Sequence, residues 1–193
     1  MGARNLPRGT VADAAAVLDH GGMIAPDARA VPDLIRPGLQ LLFVGINPGL
    51  VSGATGHHFA RPGNRFWPTL YGAGLTPRLL RPDEGAALLD IGIGITNLVA
   101  RVTATAAELS DDELLAGGRR LREVVARLRP AAVAIVGKGA YEIAFGTKVT
   151  MGRQPRPFEG SDLWVLPNPS GLNAHYQLPR LIDAFRPLRE YLG

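Results

Sequence analysis

The stretch LLFVGINPG, residues 41–49, is the strongest indication of how this chain folds. Its first six residues are apolar or glycine, and they end in Asn47-Pro48-Gly49, three residues that favour a tight turn. A short apolar run that ends in a turn is typical of a strand buried on both faces, as in parallel sheets. We therefore predict a central strand over residues 41–46, with Asn47 at its carboxyl end.

Two further apolar runs, residues 131–136 and 163–166, predict additional buried strands. A capping box, Ser110-Asp111-Asp112-Glu113, predicts the start of a helix that ends near Leu128. A closing helix is expected over residues 178–192. Strands that alternate with helices predict an α/β domain with a mostly parallel sheet.

The segments between these elements have weaker patterns. Residues 64–71 and 81–89 favour helices, whereas residues 50–58 are predicted to form a polar, glycine-rich loop. Glycines interrupt residues 93–99, so a weak strand or an irregular segment is expected there. Asp90 precedes this glycine-lined segment. If the segment approaches the active site, the Asp90 carboxylate could orient or deprotonate a water molecule, although a solvated aspartate at a helix end is the simpler interpretation.

The chain has 193 residues, of which 46% are hydrophobic and 20% are charged, enough apolar material for one compact domain. Prolines and glycine pairs recur through residues 1–38, so we expect a loosely ordered N-terminal extension with one short helix at residues 12–18, followed by a single domain over residues 39–193. The absence of cysteine excludes disulfides, iron–sulfur clusters, thiolate zinc sites and cysteine nucleophiles. The four histidines lack metal-site spacing, so no metal site is expected.

The formal net charge is +4 and the pI is about 10.0, which favours an anionic partner such as nucleic acid. Only two of the 21 basic residues are lysines, and arginine suits phosphate because its planar fork binds two oxygens. Arg101, Arg119, Arg120 and Arg153 are candidate phosphate contacts, although arginines on a solvated face are the commoner outcome. No apolar stretch reaches the roughly 18 residues of a membrane span, and no secretion signal is apparent, so a cytoplasmic location is expected.

Ligands of open parallel sheets bind at the carboxyl ends of the strands, where this chain carries two unusual loops, GINPG at residues 45–49 and NPSGLN at residues 168–173. Between them lie Thr55-Gly56 and Asn64-Arg65-Phe66-Trp67. Together these segments resemble the mismatch-specific uracil-DNA glycosylases, the bacterial relatives of thymine-DNA glycosylase. The resemblance extends from about residue 41 to residue 191.

The resemblance implies a three-layer α/β/α sandwich around a short, mostly parallel sheet, with no cofactor. It implies a monofunctional enzyme that flips uracil out of double-stranded DNA, with a preference for G:U mismatches, and hydrolyses its N-glycosidic bond, which initiates base excision repair. Other modified pyrimidines are expected substrates as well. We expect a monomer whose partner is double-stranded DNA containing uracil mismatches.

The resemblance also assigns roles to residues of the first loop region. Asn47 corresponds to the residue that positions the attacking water, and an amide there predicts a slow enzyme because it is a poor proton acceptor. Phe59 corresponds to the aromatic that stacks on the flipped base. Backbone N–H groups near Ile46 and Phe59 could recognise the carbonyl edge of uracil, and Ser52 matches a small residue near C5 of the base.

The second loop matches the segment that enters the duplex. Gly171, Leu172 and Asn173 correspond to the wedge that fills the space left by uracil and contacts the orphaned guanine. Asn168 and Ser170 are expected to contact phosphate through amides that cap the last helix.

The chain departs from the bacterial pattern at two places. Ala174-His175 stands where a basic residue usually follows the wedge, and Asn97 stands where lysine is common, which leaves the opposite-base preference and the exclusion of thymine open. Two other functions also remain open: a non-catalytic protein that binds damaged DNA on the same scaffold, and a small-ligand α/β enzyme that binds free nucleotides.

Overall fold

The computed structural model describes residues 30–193 and contains one five-stranded sheet. The strand order is β2-β1-β3-β5-β4, and every neighbouring pair is parallel except β4 with β5. The strands are β1 (Leu41–Gly45), β2 (Ile93–Asn97), β3 (Ala132–Val136), β4 (Gly152–Arg153) and β5 (Asp162–Leu166). The predicted α/β class with a mostly parallel sheet is confirmed.

Helices cover both faces of this sheet. They are α1 (Leu50–Thr55), α2 (Phe66–Gly72), α3 (Ala87–Asp90), α4 (Asp111–Leu128), α5 (Lys138–Phe145) and α6 (Leu178–Leu192). One apolar cluster joins the sheet to α4 and α5, and a second joins the opposite face to α2 and α6. The α/β/α layering is therefore confirmed. None of the helices in this part of the chain is long and apolar enough to cross a membrane.

The central strand β1 contributes to both clusters, as a strand buried on two faces must. Leu42 and Val44 belong to the cluster under α4 and α5, whereas Leu41 and Phe43 belong to the cluster under α2 and α6. Successive side chains of a strand point to opposite faces, so the continuous apolar run supplies both layers.

Helix α4 begins at the predicted capping box. The Ser110 hydroxyl accepts a hydrogen bond from the backbone N–H of Glu113 at 3.2 Å, and the Glu113 carboxylate accepts from the backbone N–H of Ser110 at 2.9 Å. These two bonds satisfy donors that a helix start would otherwise leave unpaired.

Of the two alternatives predicted for residues 93–99, a weak strand or an irregular segment, the strand is confirmed over residues 93–97, which form the fully buried strand β2. A Cβ on Gly94 would lie 2.7 Å from the backbone oxygen of Leu34. Leu34 and Ile95 exchange two backbone hydrogen bonds of 2.9 Å. The glycine therefore admits a neighbouring segment and does not interrupt the strand.

That neighbouring segment precedes the predicted domain boundary at residue 39. Residues 31–36, which we call the N-terminal strap, pack against β2, and Val31 is buried. The remainder of the predicted loosely ordered extension, including the helix expected at residues 12–18, lies outside the described residues. The ordered domain thus includes residues that the proline and glycine content had assigned to the extension.

Two other local predictions also change. Residues 50–58 were expected to be a loop, but residues 50–55 form α1, and Gly53 is required there because its Cβ would lie 2.7 Å from the Val102 side chain. The helix expected at residues 81–89 is divided into a 3₁₀ turn, Pro82–Glu84, and the short helix α3.

Candidate active site

A cleft of about 350 Å³ opens at the carboxyl ends of the parallel strands. Such a volume is in the range of small-ligand sites. Both predicted loops contribute to the cleft, and Asn47 and Leu172 line the same space. Its other lining residues are Ile46, Pro48, Gly49, Ser52, His58, Phe59, Arg61, Asn64, Asn97, Thr103–Ala106, Val136, Asn168, Ser170 and Asn173.

The side-chain amide of Asn47 is held in one orientation. Its Nδ2 lies 3.1 Å from the backbone oxygen of Pro48, 3.0 Å from that of Arg101 and 2.7 Å from the hydroxyl of Thr103. The Thr103 hydroxyl donates its own hydrogen to the backbone oxygen of Thr105 at 2.7 Å, so it can only accept from Asn47. Three acceptors therefore surround the nitrogen.

This arrangement leaves the side-chain oxygen of Asn47, Oδ1, available to accept hydrogen bonds. Exchanging the nitrogen and oxygen of Asn47 would place Oδ1 against two carbonyl oxygens and a committed hydroxyl, which is repulsive. The segment that supplies these acceptors is bound to the turn, since the N–H of Thr103 donates to the backbone oxygen of Pro48 at 3.1 Å. Asn47 thus retains a carbonyl oxygen, with two lone pairs, as a hydrogen-bond acceptor at the cleft.

Phe59 forms an aromatic wall of the cleft. Its ring stacks on Phe66 with 3.9 Å between centroids and 19° between planes, and Phe66 in turn meets Phe43 edge to face. Phe59 also has a φ of 53°, a left-handed conformation that is costly for a residue with a Cβ. The surrounding structure must hold the backbone in that conformation.

Hydrogen bonds on both sides of Phe59 do so. The buried Ser52 hydroxyl accepts from the backbone N–H of Ala60 at 3.1 Å, and the indole N–H of Trp67 donates to the backbone oxygen of His58 at 3.2 Å. Ser52 lines the cleft, as expected, but its hydroxyl is engaged in fixing the loop that carries Phe59.

A buried polar pair, His58 and Asn97, lies beside this aromatic wall. Both side chains line the cleft, and the Asn97 amide nitrogen lies 3.5 Å from Nδ1 of His58. Nε2 of His58 lies 2.9 Å from the backbone oxygen of Pro32, a carbonyl that can only accept, so Nε2 carries the hydrogen. Burial lowers the pKa of His58 below its ordinary value, which favours the neutral ring.

Space for this pair depends on a glycine at the end of β1. A Cβ on Gly45 would lie 2.3 Å from Oδ1 of Asn97 and 3.4 Å from the Phe59 ring. The Asn97 amide of the polar pair therefore needs Gly45, and this requirement explains the glycine in the predicted central strand.

The N-terminal strap supports the pair from behind. The Asp33 carboxylate accepts from the buried hydroxyl of Thr96 at 2.7 Å and pairs with Arg120 at 2.5 Å. Arg120 also donates to the backbone oxygen of Asn97 at 3.1 Å. Strap, strand β2 and helix α4 are thus joined directly behind the cleft.

The second loop, residues 168–173, presents its leucine to solvent. Leu172 is 62% exposed although it lines the cleft. Asn168 Oδ1 accepts from the backbone N–H of Ser170 at 3.0 Å, and the Asn173 side-chain amide donates to the backbone oxygen of Asn168 at 3.0 Å. These bonds order the loop. The expected helix-capping amides at Asn168 and Ser170 are absent from this segment, since α6 begins only at Leu178.

Asp90 does not belong to this site, and the expectation that it approaches the cleft is wrong. It ends α3, is exposed, and precedes the amino end of β2, whereas Asn97 at the carboxyl end of the same strand lines the cleft. The length of the sheet therefore separates Asp90 from Asn47. Its exposed position matches the simpler interpretation of a solvated aspartate.

Most of the predicted phosphate-binding arginines have local partners. Arg101 pairs with Glu113 at 2.6 Å, Arg120 with Asp33, and Arg153 with Asp162 at 2.8 Å, while Arg119 is exposed on α4. Arg61, which sequence analysis did not select, is the basic residue that lines the cleft. Within residues 30–193, no group of three His, Asp or Glu side chains is arranged to hold a metal ion.

Sequence reasoning missed Thr103 and His58 as parts of the site. Recognition of β2 as a regular strand would have placed the polar segment after it at the same edge as Asn47, and so would have indicated Thr103. Nothing in the local pattern distinguishes His58 from the adjacent His57, because only the fold buries one of them.

Comparisons with known proteins bear on the fold and the family of this chain. A solution NMR structure of a proposed uracil DNA glycosylase from Methanosarcina acetivorans has a TM-score of 0.56 and 18% sequence identity, and the match covers 84% of this chain and 98% of that chain. At this identity the likeness shows the fold alone. The family model of the uracil DNA glycosylase superfamily matches residues 32–192, including most of the strap. The chain therefore belongs to the uracil DNA glycosylase superfamily, the hydrolases that remove uracil from DNA.

Proposed function

We propose that this chain is a monofunctional DNA glycosylase that excises uracil from double-stranded DNA, with a preference for uracil opposite guanine, by extruding the base into the cleft. The observation that carries the proposal is the fixed amide of Asn47, which retains a hydrogen-bond acceptor in the same cleft as Phe59 and the exposed Leu172. Excision would begin base excision repair by leaving an abasic site.

In the proposed reaction the extruded pyrimidine stacks on Phe59, a contact worth about 1–3 kcal/mol. Oδ1 of Asn47 accepts a hydrogen bond from a water molecule and orients it toward C1′ of the deoxyribose. The C1′–N1 bond breaks and its electron pair leaves with uracil, while the water oxygen bonds to C1′ and gives up one proton to solvent. Because an amide does not take that proton, the enzyme should be slow.

The neutral polar groups of the cleft suit an uncharged base. The Asn97 amide and backbone N–H groups at Ile46 and Phe59 are the proposed partners of the uracil carbonyls and N3–H. A neutral His58 beside Asn97 adds no positive charge there. We propose that this combination, in place of the lysine expected at residue 97, sets which pyrimidines are accepted.

The absence of strand cleavage forms part of the proposal. Among residues 30–193, no lysine lines the cleft, so this part of the chain places no amine there to attack C1′ and form a Schiff base. Gly171, Leu172 and Asn173 are the proposed wedge and guanine contacts, with Asn168, Ser170 and Arg61 near the phosphates. A monomeric state and a cytoplasmic location stay predictions.

Incubation of the protein with a labelled duplex containing one U·G pair, followed by alkali, tests the proposal. We expect cleavage only after alkali, and a loss of about a hundredfold or more in rate for Asn47→Ala with DNA binding retained. Asp90→Asn is the matched control and should excise at the wild-type rate. A wild-type protein that binds the duplex without excising uracil would support the non-catalytic alternative.

The salt dependence of duplex binding distinguishes our proposal from the free-nucleotide alternative. A protein that contacts several phosphates of duplex DNA loses affinity steeply as salt rises, whereas a pocket for free nucleotides does not depend on duplex at all. Titration of duplex binding between low and physiological salt, beside binding of deoxyuridine monophosphate, distinguishes the two. Tight mononucleotide binding with no affinity for duplex would contradict our proposal.

A further inference from the structure

The guanidinium of Arg65 is partly buried against the loop that carries the exposed leucine. Nη1 lies 2.9 Å from the backbone oxygen of Tyr176, 3.1 Å from that of Asn173 and 3.4 Å from that of Ser170, and Nη2 lies 3.3 Å from that of Gly171. One side chain thus gathers four carbonyls from a seven-residue segment, residues 170–176.

The backbone around Arg65 contacts the same segment. The N–H of Arg65 donates to the backbone oxygen of Pro169 at 2.9 Å. A Cβ on Gly171 would lie 2.6 Å from the backbone oxygen of Gly63, so the two loops meet at a distance that only glycine permits. Residues 63–65 therefore form a seat for the wedge loop, by which we mean residues 168–176.

Helix stability does not explain an arginine at this place. Arg65 is the N-cap residue of α2, where a positive charge opposes the helix dipole. None of the ion pairs among the described residues includes Arg65, so its charge has no carboxylate partner in that part of the chain. Its donors are instead directed at carbonyl oxygens, and hydrogen bonds from a charged donor are stronger than neutral ones.

We propose that Arg65 is the positioning residue of the wedge: its guanidinium fixes the loop so that Leu172 enters the duplex where uracil has left. This inference rests on the proposed function. A wedge must offset the lost stacking of the extruded base, a few kcal/mol, and a loop that moves freely would lose part of that contribution to its own ordering. Arg65 touches neither the base nor the sugar in this scheme and acts through Leu172.

The test compares two substrates that differ in their need for a wedge. One is a fully paired duplex with a single U·G mismatch, and the other places the same uracil inside a bubble of unpaired bases, where extrusion needs little help. For Arg65→Gln we expect kcat/KM to fall about tenfold or more on the paired duplex and to change less than about threefold on the bubble. Arg65→Lys keeps the charge but lacks the fork, and should be intermediate.

Matched controls separate positioning from charge and from folding. Arg186→Gln removes a positive charge from an exposed site on α6. It should leave the ratio of kcat/KM on the paired duplex to kcat/KM on the bubble at the wild-type value. Gly171→Ala disturbs the same loop contact from the other side and should reproduce the selective loss on the paired duplex. If Arg65→Gln does not fold, Gly171→Ala still tests whether residues 63–65 hold the wedge loop in place.

A binding readout keeps this inference distinct from the proposed catalysis. With 2-aminopurine next to uracil, extrusion by the wild-type protein should raise the fluorescence, and Arg65→Gln should raise it much less. If the wild type brightens the probe but excises nothing, the proposed hydrolysis fails and the role of Arg65 stands. Equal losses on both substrates, or an unchanged ratio in Arg65→Gln and Gly171→Ala alike, would overturn the inference.

Discussion

At the scale of single residues, the orientation of one amide is the central feature. Three acceptors fix Nδ2 of Asn47, and one of them, the Thr103 hydroxyl, is itself fixed because it donates to Thr105. An amide has a donor end and an acceptor end, whereas a carboxylate has only acceptors. The surroundings of residue 47 therefore select asparagine over aspartate.

This selection predicts the behaviour of Asn47→Asp. A carboxylate oxygen would face the carbonyls of Pro48 and Arg101, so we expect a loss of about 1–3 kcal/mol of stability at neutral pH and excision no faster than that of the wild type. The repulsion raises the folded-state pKa of the new carboxyl above its unfolded value, so the stability deficit should shrink as pH falls and the group binds a proton. Denaturant unfolding at several pH values measures both, and a variant as stable as wild type at neutral pH would contradict the prediction.

How much of the site was visible in the sequence also differs from residue to residue. Asn47, Phe59 and Leu172 were selected from their motifs, and the structure places all three at one cleft. The expectation for Asp90 was wrong because the sequence does not reveal which end of β2 faces the cleft. Asp90 precedes the amino end of this strand, whereas the cleft lies at its carboxyl end. His58 depends on burial, which only tertiary packing creates.

At the scale of elements, the strap connects the start of the domain to the wall of the cleft. The backbone oxygen of Pro32 accepts a hydrogen bond from His58, and the Asp33 carboxylate binds both Thr96 and Arg120. The backbone of Leu34 pairs with that of Ile95. Proline-rich composition predicted looseness here, but these contacts are made by single polar and backbone groups, which leave no periodic pattern. For the same reason Gly94, which makes room for the strap, was interpreted as an interruption.

The strap predicts a measurable coupling between Asp33 and Thr96. Asp33→Ala leaves the buried Thr96 hydroxyl without its acceptor, so we expect a loss of about 1–3 kcal/mol. In a Thr96→Val background no hydroxyl is left unpaired, and the same substitution should cost less. Chemical denaturation of the four proteins in this double-mutant cycle gives the coupling, and equal costs in both backgrounds would show that Asp33 does not act through Thr96.

At the scale of the whole molecule, the sheet was predictable and its connections were less so. The buried strands β1, β3 and β5 each contain a continuous apolar run, which local sequence reveals. The two-residue strand β4 is too short for any pattern, and it pairs antiparallel at the edge. The meeting of the two loops followed from parallel topology, because equivalent strand ends share one edge.

Global stability should respond to acid through the start of α4. Hydrogen bonds from the Arg101 side chain and from the backbone of Ser110 lower the pKa of Glu113 to about 2. A depressed carboxyl pKa contributes stability that is present above the ordinary value near 4.5 and is lost as pH falls toward about 2.

Thermal melts of the wild type and Glu113→Gln measure this contribution. The wild type should melt higher at neutral pH, and the difference between the two melting temperatures should narrow between about pH 4.5 and about pH 2. Glu123→Gln, on the exposed side of the same helix, is the matched control. A gap between the wild type and Glu113→Gln that stays constant over this range would contradict the assignment.

The aromatic wall of the cleft does not end at its surface. Phe59 rests on Phe66, Phe66 meets Phe43 of the central strand, and Phe43 stacks on Phe185 of the last helix with 5.8 Å between centroids. A change in the Phe59 ring is therefore transmitted to residues on which folding depends. Evolution or engineering of a wider range of excised bases would have to proceed through the polar side of the pocket, since the aromatic side cannot be altered without loosening the protein's interior.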